Sequence, residues 1–338
     1  MGNNIKQEYM YNYIFFNFDY DFFQPIVVPL NNLNNVFINR KDSKGSFLKN
    51  KLFFYHWSNK VNEIIQLPFK KFWFPSMYAN PFVNDNPICF VFSSGKYIND
   101  SDELRAYILN QNPKNKCIIY CGDLIAKKNW DIEKVKRSCD AIVTYDPGEA
   151  QKYGIYCFNK PVYGRIAPLT QPQTFEYDAY FLGFAKDRLQ IIRNTFKRLS
   201  DSGLRCLFIV CGVSKEEQKD DGIRYSDPIS YSENIDIVNR SKCLVEIIQG
   251  GSDTITLRCN EAIAYHRKLL TNYIGIKQTE YYNPKFMSAF TNPEDIDIDF
   301  IQQPIDYTVY KDEEKNSPIR MLDYFENILE EIENEPYN

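Results

Sequence analysis

Short apolar runs alternate with amphipathic segments along most of this chain, and that alternation constrains the fold more than any other feature. "YNYIFFNF" (11–18), "KLFFYHW" (51–57), "PICFVFSSG" (87–95), "KCIIYCGD" (116–123) and "AIVTYDPG" (141–148) read as strands. Between them, "SDELRAYILNQN" (101–112) begins with an N-cap serine and an acidic first turn, and "DIEKVKRSCD" (131–140) is a second helix. Strand and helix in turn, with short connections, is the grammar of a parallel sheet covered by helices.

Near "APLTQPQTFE" (167–176) the pattern breaks into a Pro- and Gln-containing linker and then restarts. "YDAYFLGFA" is a strand. "KDRLQIIRNTFKRLSDSG" is a helix with Leu189, Ile192, Phe196 and Leu199 on one face and Gly203 as its stop. "LRCLFIVCGV", "KCLVEII" and "KLLTNY" are further strands, with "SENIDIVNRS" a short helix. The tail "SPIRMLDYFENILEEIENE" carries Ser317 as N-cap, Pro318 at the first helical position and an apolar stripe from Ile319 to Ile332. The expected organisation is two α/β domains, 1–166 and 177–310, joined by a linker at 167–176 and followed by a helix at 317–334. Doubly wound sheets of this kind bind ligands beyond the carboxyl ends of their strands, so a ligand cleft is expected between the two domains.

Composition removes several function classes. A net charge of −4 without a basic stripe argues against a general nucleic-acid binder. Nine scattered cysteines, mostly inside apolar runs, fit reduced thiols better than a disulfide framework, and only two histidines are present, so a structural zinc site is not expected. No stretch is long and apolar enough to span a membrane, and the N-terminus lacks a signal-peptide pattern, so the expected location is the cytoplasm.

Two strand–turn–helix units in the second half carry candidate ligand chemistry. After "YDAYFLG", Gly183 allows close backbone approach, and Lys186 and Arg188 bring cations to a helix start. Downstream, "VEIIQGGSDTITLRCNEA" offers paired glycines, the hydroxyls of Thr254 and Thr256, the planar fork of Arg258 and, one turn deeper, the carboxylate of Glu261. If the segment is helical, Thr254, Arg258 and Glu261 share one face. The bland alternative is a surface helix with an internal Arg–Glu pair.

These blocks, with "YFLGFAKDRLQIIRNTFKRLSDSGLRCLFIV" and "SENIDIVNRSKCLVEIIQGGSDTITLRCNEAIAYHRKLLTNY", resemble bacterial GT-B glycosyltransferases of lipopolysaccharide, capsule or exopolysaccharide synthesis. The resemblance covers mainly residues 177–292, with a fainter echo in "CDAIVTYDPGEAQKYGI". It implies an α/β chain of GT-B architecture: two Rossmann-like domains facing each other across a cleft, with the C-terminal helix crossing back to the first. It further implies a nucleotide-diphosphate sugar in the second domain. Gly183, Lys186 and Arg188 would lie near the phosphates, Thr254, Thr256 and Arg258 on the diphosphate, Glu261 on the ribose, and Tyr231 beside the base. The paired-glutamate spacing of one large GT-B group is not reproduced, since Glu246 stands fifteen residues before Glu261. A retaining mechanism is therefore not carried over.

On the same resemblance the first domain takes a glycan or lipid-linked acceptor. An inverting enzyme needs a base there. Asp21 and Asp123 lead the candidates, with Asp19 and His56 behind them. Each follows or lies in an expected strand, where Asp is also a common helix cap or loop anchor. No cofactor or metal is expected, because helix ends and basic side chains can stabilise a diphosphate leaving group; "DIDID" (295–299) reads as a strand or a solvated edge. "LPFKKFWFP" (67–75) has two readings: a contact with a membrane surface, or a loop whose aromatics fold inward. The rival functions are a non-catalytic nucleotide- or glycan-binding protein of the same fold and a sugar-nucleotide epimerase. The absence of a glycine-rich turn after the first strand keeps the binding protein in contention.

Overall fold

The computed structural model describes residues 9–18, 21–39, 51, 52, 55, 56, 61, 65, 69–93, 101–122, 124, 125, 130–160, 162–249, 255–310 and 317–334. Two compact units result, Met1–Asn159 together with Ile319–Asn338, and Lys160–Pro318. The change of unit thus falls at Asn159/Lys160 rather than at 166. Arg165 donates to the Ala264 carbonyl, and the Ile166 and Ala167 amides donate to the Tyr265 hydroxyl, all inside the second unit.

The first unit runs β1 (Asn12–Phe16), α1 (Gln24–Leu30), β2 (Val36–Asn39), β3 (Ile88–Ser93), α2 (Ser101–Gln111), β4 (Lys116–Cys121), α3 (Ile132–Ser138), β5 (Ala141–Thr144), α4 (Pro147–Tyr153) and β6 (Tyr156–Cys157). Its sheet has the order β2-β1-β3-β4-β5-β6, and every pairing is parallel. Helices on both faces bury the central strands from both sides, which is why those strands read as continuous apolar runs. Asp131 and Asp146 cap α3 and α4 by accepting from the amides of Lys134 and Glu149, so Asp146 is a helix cap.

One expected strand is not a strand. Lys51, Leu52, Tyr55 and His56 of "KLFFYHW" are helical, and the edge position beside β1 is taken by Val36–Asn39. A short apolar run does not distinguish strand from helix by periodicity alone. Here Leu52 and Tyr55 are exposed, so the segment is not a buried strand.

The second unit runs β7 (Tyr177–Phe184), α5 (Leu189–Asp201), β8 (Cys206–Cys211), β9 (Arg224–Tyr225), α6 (Tyr231–Arg240), β10 (Ser241–Glu246), α7 (Leu257–Ala264), β11 (Lys268–Thr271), β12 (Met287–Ala289) and α8 (Ile298–Gln302). Its all-parallel sheet has the order β12-β11-β10-β7-β8-β9. Gly203 ends α5 at φ 77°, in the left-handed region where a side chain is strained, with the Leu204 amide closing back onto the Leu199 carbonyl. "DIDID" is not a strand, though its three aspartates are solvent-exposed. Asp295 closes a capping box with Asn292, and Asp297 caps α8 by accepting from the Phe300 amide. Alternating Asp and Ile here marks two successive helix starts.

The last helix, α9 (Ile319–Asn334), belongs to the first unit. Its buried stripe includes Met321, Leu322, Phe325, Ile328 and Leu329. Beside that stripe Glu326, only 9% exposed, accepts from the Met10 amide (3.1 Å), the Tyr11 amide (3.2 Å) and the Tyr13 hydroxyl (2.8 Å). Tyr9 donates to Asp323 and Tyr11 to Glu333. Burial, reinforced by these carboxylates, pushes the Tyr9 and Tyr11 phenols well above their ordinary range. The amino end of β1 is thus satisfied by side chains more than three hundred residues later. Glu326→Ala leaves three donors without an acceptor and should cost about 2–4 kcal/mol of first-unit stability, with Glu326→Gln costing less. All three tryptophans, Trp57, Trp73 and Trp130, lie in that unit, so urea unfolding followed by tryptophan fluorescence reports it selectively. An unchanged midpoint would remove the strap from the account of stability.

Candidate functional site

Strand order reverses between β7 and β10 in the second sheet. β8 and β9 wind outward on one side, β11 and β12 on the other. Connections that leave a parallel sheet in opposite directions uncover the carboxyl ends of the two strands they diverge from, and doubly wound proteins bind ligands in that gap.

Arg188 spans the gap. Its Nε and Nη2 donate to the Phe184 carbonyl at the end of β7 (3.2 and 3.1 Å), while Nη1 donates to the Ile247 carbonyl just past β10. Gly183 makes room for it, since a Cβ there would meet Arg188 Nη2 at 3.1 Å and the Phe181 ring at 3.2 Å. Gly183 lies inside β7, paired with Val210, rather than in the turn, so its contribution is steric. Lys186 is exposed and holds φ 46°, a left-handed conformation uncommon for a lysine. Burial lowers the Arg188 pKa, against the pull of Asp187 and Glu246, and the guanidinium remains charged.

On the other flank, Glu246 ends β10 with its side chain 2% exposed. Oε1 accepts from the amide and the hydroxyl of Thr256, and Oε2 from the Thr271 hydroxyl at 2.6 Å. Thr256 in turn caps α7, its Oγ1 accepting from the Arg258 amide at 3.1 Å. A buried carboxylate therefore fixes where this helix begins. The sequence did carry a signal for Glu246, an acid closing the apolar run "CLVE", but it reads equally as an ordinary strand end.

One turn deeper the polar face of α7 is buried as well. Glu261 is 1% exposed, and its two oxygens accept from Asn234 Nδ2 (2.8 Å) and Arg258 Nη1. Arg258 also donates to Asn234 Oδ1 (3.2 Å) and to the Leu182 carbonyl (3.3 Å), and its guanidinium lies 5.2 Å from the centre of the Tyr180 ring. Tyr180 donates to Asn234 Oδ1, and the hydroxyls of Tyr231 and Tyr163 bond each other. Burial pushes the Glu261 carboxyl upward, while Arg258, Asn234 and Tyr231 pull the other way. The surface-helix alternative does not hold: the Arg–Glu pair exists, but inside the fold.

The structure thus brings Gly183, Lys186, Arg188 and Thr256 to the two flanks of the reversal point. It puts Arg258, Glu261 and Tyr231 together in a network beneath it, joined by Asn234, which no sequence motif had flagged. Thr254 lies outside the described residues, as do Asp19 and Asp123. Asp21 is exposed in the turn after β1 and accepts from Gln24 Nε2 at 3.1 Å. His56 is half-buried, with Nδ1 accepting from Trp73 Nε1 at 2.9 Å. In the first sheet, order reverses between β1 and β3, so Asp21 follows one of the two strands at that reversal.

No family model matches the chain, and no curated protein does. Among solved structures, an α-glucosyltransferase in complex with UDP and a 13-mer DNA containing an HMU base matches 74% of this chain and 81% of its own, at 13% identity and TM-score 0.52. The fold is GT-B. A DNA-modifying β-glucosyltransferase (73% and 83% covered, 14% identity, TM-score 0.46) and the spinosyn forosaminyltransferase SpnP (95% and 99%, 9%, 0.45) are more distant in structure. At 13% identity, what this chain shares with the α-glucosyltransferase is fold alone.

The buried network generates a prediction. Glu261→Ala strands the Arg258 cation, whose side chain is 10% exposed, and should destabilise the second unit by about 3–5 kcal/mol. Arg258→Met/Glu261→Leu should recover most of that loss. Hydrogen exchange of peptides from α6, α7 and β7 measures it. A Glu261→Ala protein with wild-type protection but no nucleotide binding would instead make this carboxylate a ligand contact.

Proposed function

We propose that the chain is a glycosyltransferase that takes its sugar from a nucleotide-diphosphate donor held at the carboxyl edge of the second sheet. The observation that carries this reading is the Arg188 guanidinium lying across the ends of β7 and β10, beside the Thr256-capped start of α7. A fixed cation beside a helix start is a pairing that suits a pyrophosphate. On this reading Arg188 exchanges its carbonyl partners for phosphate oxygens, with Lys186 and Thr256 alongside. Thr254 completes the set, while Arg258, Glu261 and Tyr231 position α7.

As the sugar leaves, negative charge grows on the diphosphate. Preorganised donors at a helix start and a guanidinium stabilise that charge without a metal. Asp21 is the candidate base for the acceptor hydroxyl, an exposed carboxylate beyond β1. The acceptor we assign is a glycan or lipid-linked glycan of a bacterial surface polysaccharide, the context of the sequence resemblance. The DNA in the α-glucosyltransferase complex belongs to that protein; a net charge of −4 here gives no general affinity for a polyanion.

Calorimetry and donor turnover test the reading. One nucleoside diphosphate, such as UDP or GDP, should bind, about tenfold more weakly to Arg188→Ala, and the matching nucleotide sugar should be slowly hydrolysed with EDTA present. Asp21→Asn should keep donor binding and lose transfer. Binding without hydrolysis would favour the non-catalytic alternative, loss of activity in EDTA would end metal independence, and no nucleotide binding would sink the donor site.

A peripheral membrane contact is part of the same proposal. In residues 69–75, Trp73 and Phe74 are buried, yet Phe69 and Phe72 stand 81% and 74% exposed, so only half of the aromatics fold inward. Phe69→Ser/Phe72→Ser should co-sediment less with phosphatidylglycerol vesicles than the unaltered chain does. Equal sedimentation removes the membrane from the proposal.

A further inference from the structure

The second unit has a cavity at the opposite edge of its sheet, where the strands begin. It holds about 560 Å3, within the usual range for a small-ligand pocket. The six residues of β10 separate it from the donor edge by about 20 Å.

Its charge is set by strand register. Ser241 pairs with Tyr177, and Ala179 with Cys206, so Lys242 and Arg205 flank Asp178 from the two neighbouring strands. Asp178 accepts from the Arg205 amide (2.9 Å), Nε (3.0 Å) and Nη2 (3.0 Å). That bidentate pair leaves Lys242 as a surplus cation. Lys242 Nζ gives one hydrogen to the Gln302 carbonyl at the end of α8, with two more to offer. Among the described residues, Nη1 of Arg205 takes part in no hydrogen bond.

The walls supply other chemistry. Gln171 and Gln173 bring amides and Thr174 a hydroxyl, while Phe175 and Tyr307 bring rings. The Arg267 guanidinium, 5.3 Å from the Phe175 ring centre, adds positive potential behind it. Ring faces for C–H surfaces, amides for hydroxyls and an unmatched cation make a set that suits a sugar bearing a negative charge.

We infer that this cavity at the amino edge of the second sheet is a saccharide site for a pyranose carrying a carboxylate or phosphate, separate from the donor site. It stands on its own lining and does not depend on the donor assignment.

Saturation-transfer NMR on the full chain with glucuronic acid, glucose 6-phosphate and glucose tests it. One or both anionic sugars should bind, the tighter identifying carboxylate or phosphate, and glucose should bind about tenfold more weakly or not at all. Lys242→Gln, which removes the surplus cation while keeping a donor for the Gln302 carbonyl, and Thr174→Trp, which fills the cavity, should each abolish the signal while preserving the thermal midpoint and any nucleotide binding. The site is overturned if no anionic sugar binds, if glucose binds equally well, if both variants bind as the unaltered chain does, or if a nucleoside diphosphate competes. Loss of nucleotide binding with sugar binding intact would count against the donor reading alone.

Discussion

The reversal of strand order between β7 and β10 governs the second unit. Parallel strands joined by right-handed crossovers must send their helices to opposite faces once the winding direction changes. Nothing in the sheet then covers the carbonyl groups at the ends of those two strands. Arg188 serves both at once, which explains why Gly183 carries no side chain. Among the described residues, this guanidinium has backbone carbonyls as its hydrogen-bond partners, and these are neutral. It can be drawn to an anion at lower cost than one already neutralised by a carboxylate.

That arrangement contrasts with the layer below. Glu246 and Glu261 are almost wholly enclosed, and each is saturated, one by two threonines and the other by Arg258 and Asn234. Buried polar clusters are costly unless complete, and a complete one fixes a single geometry. Here it fixes the first turn of α7 against β7 and β10. The support beneath comes from Glu246 and Glu261, and the contacts above come from Arg188, about 60–70 positions earlier in the chain.

Local chemistry made much of this legible in the sequence. Asp131 capping α3, Gly203 ending α5 and the apolar stripe of α9 are decided by near neighbours, so the chain itself announces them. Both sheets could be read because strands buried on two faces leave unbroken apolar runs. The failures share a cause. "VFIN" is too short and "KLFFYHW" too apolar to tell edge strand from helix, and only competition for the side of β1 settles which pairs. "DIDID" has a strand's alternation but a helix cap's acids. At the reversal point, Lys186, Arg188 and Thr256 stand out as candidates because they sit next to a turn. The inward orientation of Glu261 was not, since a polar residue on a helix gives no sign of being covered by partners such as Asn234, twenty-seven positions away.

The bond between Glu326 and the amides of Met10 and Tyr11 has a temporal meaning as well as a spatial one. In covalent terms the second unit is an insertion, threaded between two portions of the first. At ribosomal speeds the start of β1 waits roughly 15–60 s for its acceptor to be made. The whole Lys160–Pro318 body is synthesised within that interval, before the first unit receives its last acceptor. The first unit, begun first, is thus the last to have all of its parts.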